Sequence, residues 1–205
     1  MEALLYKKLF LYLIPFNFLI GEYNVGAQYR FTDEWAFDIN AGYVANIEGS
    51  WMSNTYESIL KSGTFYYSGP FIKFSMLSVI PRGPNPLRTD YNQLELSYRF
   101  LSYDNLDFAD ESDPDKVFNI SENMNAISLS WKAGYNIIPR DVFEMNCFVG
   151  FGLQLRLKTT TVNSYGYFYQ SDQFPVNNTT NATQIVPLFH LGLKVGYKTL
   201  PNRIE

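Results

Sequence analysis

The 205-residue chain has a single cysteine and a single histidine. That excludes a disulfide framework and any thiolate or histidine-rich metal centre. It has no run of about 18 apolar residues, so nothing in it reads as a transmembrane helix. Charge is sparse and slightly acidic, 16 Lys and Arg against 20 Asp and Glu. This balance speaks against a nucleic-acid binder, which usually carries a basic patch.

Aromatic residues are abundant, with 17 Phe, 16 Tyr and 3 Trp, and they favour strands and interfaces. The clearest pattern runs from Ala126 to Lys158. Ile127, Leu129, Trp131, Ala133 and Tyr135 alternate with Ser128, Ser130, Lys132, Gly134 and Asn136. After a turn at Pro139-Arg140-Asp141, Met145, Cys147, Val149, Phe151, Leu153, Leu155 and Leu157 alternate with Glu144, Asn146, Phe148, Gly150, Gly152, Gln154, Arg156 and Lys158. A period of two places these sets on opposite faces of a sheet. One face is apolar; the other is mostly glycine, polar groups and charge.

The same alternation predicts strands over Leu4–Ile14, Gly21–Phe31, Trp35–Asn46, Gly63–Val79, Tyr91–Tyr103 and Gln184–Lys198, eight in all with the central hairpin. Pro15-Phe16-Asn17 reads as a turn. Short connections fall at Thr32–Glu34, Ile80–Asp90 and Ile138–Asp141. Long polar ones fall at Ile47–Ser62, Asp104–Asn125 and Thr159–Thr183. Short turns at one end and long loops at the other suit an up-and-down transmembrane barrel with both termini on the short-turn side. The expected domain is one barrel over residues 1–199, with a tail at 200–205.

An antiparallel soluble sandwich also alternates, and three features favour the membrane barrel. The strands run longer than the globular average of about 5–6 residues. Gly26, Gly42, Gly134, Gly150, Gly152, Gly192 and Gly196 collect on the polar face, where a narrow lumen needs small residues. Trp35, Tyr43, Trp131, Tyr135, Phe143 and Tyr197 lie near strand ends on the apolar face, as an aromatic girdle would. At the N-terminus, Lys7-Lys8, the apolar run Leu9 to Ile20 and Val25-Gly26-Ala27 imitate a secretory signal. The favoured reading is instead that a native leader has been removed, because alternation runs straight through Ala27.

The stretches LIGEYNVGAQYRFTDEWAFDINAGYV at 19–44 and FHLGLKVGY at 189–197 resemble a family of small eight-stranded outer-membrane β-barrels of Gram-negative bacteria. The resemblance implies an outer-membrane location with periplasmic termini. Outer-membrane lipid and possible protein neighbours in a complex are the implied partners. Such barrels usually end on an aromatic residue, whereas this chain passes Tyr197 and runs on to Glu205.

The inferred lumen holds Glu22, Asp38, Glu95 and Glu144, with Arg30, Lys73, Arg99, Lys132, Arg156, Lys194 and Lys198. Charges inside a narrow barrel must pair, since an isolated buried ion is very costly. The expected role is an ion-pair plug in a non-enzymatic barrel acting through its long loops or outer wall. A small-solute channel is the alternative. His190 is the one side chain suited to base chemistry near neutral pH. A membrane hydrolase built on it would need a serine, and none stands nearby in sequence. A satisfied lumen histidine is the expectation. The acidic run at 110–115 lacks the glycine and spacing of a calcium loop, Asn177, Asn178 and Asn181 read only as a polar loop, and Cys147 reads as an apolar outward residue. No cofactor is implied.

Overall fold

The computed structural model describes residues 9–18, 21–32, 34–48, 66–81, 89–110, 113–139, 143–166 and 176–198. The elements are β1 (Leu9–Leu13), α1 (Pro15–Phe18), β2 (Glu22–Arg30), β3 (Trp35–Glu48), β4 (Tyr66–Pro81), β5 (Thr89–Asp110), β6 (Asp113–Pro139), β7 (Phe143–Gly166) and β8 (Val176–Lys198). Every strand pairs antiparallel with the next, and β8 pairs with β1. The result is an eight-stranded, antiparallel up-and-down β-barrel.

Alternation decides the two faces. Asp38 and Asn40 are buried while Phe37 and Ile39 are exposed, and the same inversion runs along β7. In β1, whose faces the sequence leaves ambiguous, Phe10 and Tyr12 point inward and Leu11 and Leu13 outward. The outward apolar band runs from Trp35 to Tyr43 on β3 and from Phe143 to Leu157 on β7.

Ring closure is staggered. From Gly196 the register leads through Tyr12, Gly26, Asn40, Lys73, Ser97, Ser128 and Gln154 to Val186. The circuit thus returns to β8 ten residues from its start, between positions 196 and 186. Eight strands with that stagger tilt by roughly 40° and enclose a backbone radius of roughly 8 Å. After tilt, the apolar band is roughly 20 Å tall on β3 and roughly 35 Å on β7, around the ~25 Å expected of an outer-membrane barrel.

Three sequence expectations are corrected. The turn at Pro15-Phe16-Asn17 is a single helical turn, α1; proline suits the first helical position, and Gly21 at φ 77° supplies the left-handed step into β2. The loop expected at Asp104–Asn125 is mostly strand, since β5 and β6 continue with Leu106 opposite Ile120 and Phe108 opposite Phe118. The loop expected at Thr159–Thr183 is likewise strand up to Gly166 and from Val176, with Thr159 opposite Asn181 and Thr161 opposite Thr179. Polar composition hid these arms; a backbone ladder, once started, propagates without needing an apolar face. The strand expected from Gly63 is described from Tyr66, and the part of the first strand before Leu9 lies outside the described residues.

The barrel is lopsided. Only Phe10 to Leu13 of β1 pair with β8, opposite Val195 to Lys198. Above that point no described strand pairs with β8 on its β1 side. The outward side chains there agree: Ile185, Phe189 and Leu191 are 72–77% exposed, against 38–63% for Val149, Phe151, Leu153, Leu155 and Leu157 on the doubly paired β7. α1 packs into this interval, touching β2 and β8.

Tyr12 lies directly across from Gly26, and a Cβ on Gly26 would strike its ring. Gly26→Val is therefore expected to cost about 1–3 kcal/mol, read as a lowered urea midpoint in detergent micelles. Adding Tyr12→Ala should recover part of the loss. Equal midpoints for wild type and Gly26→Val would refute the tight fit.

Candidate functional site in the barrel lumen

The lumen is built from one repeated arrangement. Gly26 sits across from Tyr12, Gly42 across from Phe71 and Gly192 across from Phe148, and in each case the neighbour's ring occupies the space a Cβ would need. A lysine lies over each ring: Lys194 at 4.7 Å from Tyr12, Lys73 at 4.5 Å from Phe71 and Lys132 at 5.2 Å from Phe148. Such cation–ring contacts gain strength when desolvated. Each lysine then meets a carboxylate. Lys194 Nζ donates to Asp38 Oδ2 at 2.7 Å, Lys73 Nζ to Glu22 Oε2 at 3.5 Å and Lys132 Nζ to Glu95 Oε2 at 2.5 Å.

Further bonds join these units. Tyr12 Oη donates to Asp38 Oδ1 at 2.6 Å, and Lys194 also donates to Gln93 Oε1 at 3.2 Å. Gln93 Nε2 donates to Ser75 Oγ at 2.7 Å and to Glu95 Oε2 at 3.3 Å. Arg99 donates to Glu22, and Lys198 pairs with Glu144 at the short-turn end. Toward the long-arm end, Glu122 pairs with Lys158 at 3.5 Å, accepts from Tyr67 Oη, and accepts from Thr160 Oγ1 at 2.9 Å. Two apolar clusters flank the charged layer. One includes Phe10, Leu77, Val79 and Tyr91; the other comprises Val44, Tyr67, Phe71, Leu101 and Met124.

Of the lumen charges named from sequence, Glu22, Asp38, Lys73, Glu95, Arg99, Lys132, Glu144 and Lys194 all enter ion pairs. Arg30 lies at the short-turn rim, its Nε donating to the Thr32 carbonyl at 3.3 Å. Arg156 is buried, and its hydrogen bond among the described residues runs from Nε to Gln154 Oε1 at 2.7 Å, not to a carboxylate. The Glu122 cluster was missed because Glu122 and Thr160 fall in stretches that read as loop, whereas Tyr67 and Lys158 lie in predicted strands; Thr160 continues the period-two pattern past Lys158 and was the available signal.

His190 does have a serine, on another strand. Ser130 Oγ and His190 Nε2 are 2.9 Å apart, bridging across β7 where Gly150 pairs with His190 and Gly152 with Ser130. The glycines leave room for the two to meet. A nucleophile must reach substrate, and its base needs an orienting partner. Ser130 is 1% exposed, and no carboxylate among the described residues hydrogen-bonds His190. The pair satisfies a buried serine and a half-buried histidine. No group of metal-ligating side chains occurs among the described residues.

Comparison with family models, curated proteins and solved structures finds no match to this chain.

The Glu95–Lys132 pair is almost fully buried on both sides. Glu95→Ala, which strands the lysine, is expected to destabilise the barrel by about 3–5 kcal/mol. The double replacement Glu95→Leu/Lys132→Met should lie within about 1–2 kcal/mol of wild type, because it removes both desolvation penalties. Denaturant titration in micelles distinguishes the two; a single mutant as stable as the double would contradict a tight pair.

Proposed function

We propose that the protein is a non-enzymatic β-barrel of the Gram-negative outer membrane, with a lumen plugged by ion pairs. It acts as a structural or accessory subunit through its long arms and outer wall, with outer-membrane lipid and other outer-membrane proteins as its partners. The observation that carries this reading is the inversion of ordinary solubility. Glu22, Asp38, Glu95, Lys73, Lys132 and Lys194 are buried, while Leu94, Leu129, Phe151, Leu153, Phe189 and Leu191 are exposed. Monomeric soluble proteins rarely expose contiguous apolar patches beyond a few hundred Å², whereas a bilayer requires an apolar band bounded by aromatics. Tyr23, Tyr29, Trp35, Tyr43, Tyr135 and Tyr197 are exposed aromatics near the ends of that band.

The closed lumen rests on the carboxylates Glu22, Asp38, Glu95, Glu122 and Glu144, each of which meets a cation. The interaction role rests on β5–β8, which run 22–27 residues, far beyond the 9–11 that cross a bilayer. Their upper halves present sheet surface outside any membrane.

Two measurements test this reading. Phe151, near the middle of the β7 band and 63% exposed, is the place to ask what surrounds the wall. Phe151→Arg is expected to cost about 2–4 kcal/mol in lipid vesicles; a water-facing position would change by no more than about 0.5 kcal/mol. A silent substitution in vesicles would defeat the membrane assignment. In planar bilayers the wild-type protein should give no steady single-channel steps, and regular steps would defeat the plugged lumen.

A further inference from the structure

A cavity of ≈ 220 Å³ opens within the charged layer. At about 30 Å³ per water it holds roughly seven waters, room for a polar head group and not for a whole lipid. Its walls combine residues that belong on opposite sides of a barrel. Glu22, Lys73, Arg99, Arg156 and His190 are lumen groups, while Phe189 and Leu191 are outward residues of β8. The backbone of β8 passes between the two sets, and beside it the described wall is interrupted. The interruption is the interval above Val195, where β8 lacks a described neighbour strand and α1 lies beside it. Asn17 of α1 and Ile14 before it line the same space.

The charge of this cavity is unbalanced. Glu22 is the one carboxylate among its described lining residues, and Lys73 and Arg99 already share it. Lys132 is held by Glu95 from behind. Arg156 is 7% exposed and lines the cavity; among the described residues its hydrogen bond runs from Nε to Gln154, and no carboxylate pairs with it. Arg99 Nε is buried without a partner. A guanidinium taken out of water without a counter-charge is costly, and its planar fork suits an oxyanion.

We propose that this opening is a binding site for an anionic amphiphile, whose phosphate-class head enters sideways to meet Arg156 and Arg99. Its acyl chain stays outside, along Ile185, Phe189 and Leu191, the most exposed apolar side chains of the wall. Lateral entry of a lipid rests on the membrane reading given above; the anion site itself does not. The shared chemistry is a tetrahedral oxyanion, which free phosphate also offers.

The test is native mass spectrometry of the purified protein in a non-ionic detergent, titrated with dodecyl phosphate and separately with inorganic phosphate. One dodecyl phosphate should bind per chain, and Arg156→Gln should weaken it about tenfold or more. Phe189→Ala and Leu191→Ala, which alter only exposed side chains, should weaken dodecyl phosphate and leave any inorganic phosphate signal unchanged. Phe151→Ala, on the fully paired part of the wall, should bind as wild type does. Equal binding by Arg156→Gln with an unchanged folded-band shift on gels overturns the site. Inorganic phosphate binding as tightly as dodecyl phosphate overturns the amphiphile. Should Arg156→Gln fail to fold, the Phe189 and Leu191 variants decide alone, and undiminished dodecyl phosphate binding in both overturns the proposal. The vesicle result for Phe151→Arg stands apart, so failure of the membrane reading and failure of the anion site are separately visible.

Discussion

The constraint from which the interior follows is the radius of the closed ring. Eight tilted strands leave roughly 8 Å from axis to backbone, too little for large side chains from every strand at one level. The chain answers by facing a ring on one strand with a glycine on the next, as at Tyr12 and Gly26 or Phe148 and Gly192. The rings in turn support lysines, and the lysines hold Asp38, Glu22 and Glu95. Glycine, ring, cation and carboxylate are therefore one packing unit used three times around the barrel. Removing any member strands the next: a lost carboxylate leaves a buried ammonium, and a lost glycine displaces a ring.

The same closure leaves the wall uneven. A stagger of ten residues means that a five-residue β1 cannot cover a 23-residue β8. The arms β5–β8 stand tall on one side while α1 fills part of the low side. That asymmetry links the two proposals. The tall arms offer sheet surface away from the band, and on the low side Arg156, which pairs with no carboxylate among the described residues, lines the same cavity as Phe189 and Leu191.

Much of this could be read from the chain. A strict period of two separated Phe37, Ile39 and Ala41 from Asp38, Asn40 and Gly42 without any coordinates, because a strand has only two faces. The same pattern assigned Glu22, Asp38, Lys73, Glu95, Lys132 and Lys194 to one side. The arms at 104–110 and 159–166 were not legible, since their polar residues carry no inside–outside contrast and a ladder is held by the backbone. Nor was the Ser130–His190 contact, which spans a whole intervening strand.

Sequence by itself determined the number of strands and, from β2 onward within the predicted strands, the face most side chains take. These follow from local geometry, one residue at a time. Only the tertiary structure decided which carboxylate meets which lysine, which ring covers which glycine, and that Arg156 meets no carboxylate among the described residues. Those outcomes depend on register and on the stagger of closure, and a shift of two residues in one strand would keep every face while changing every partner.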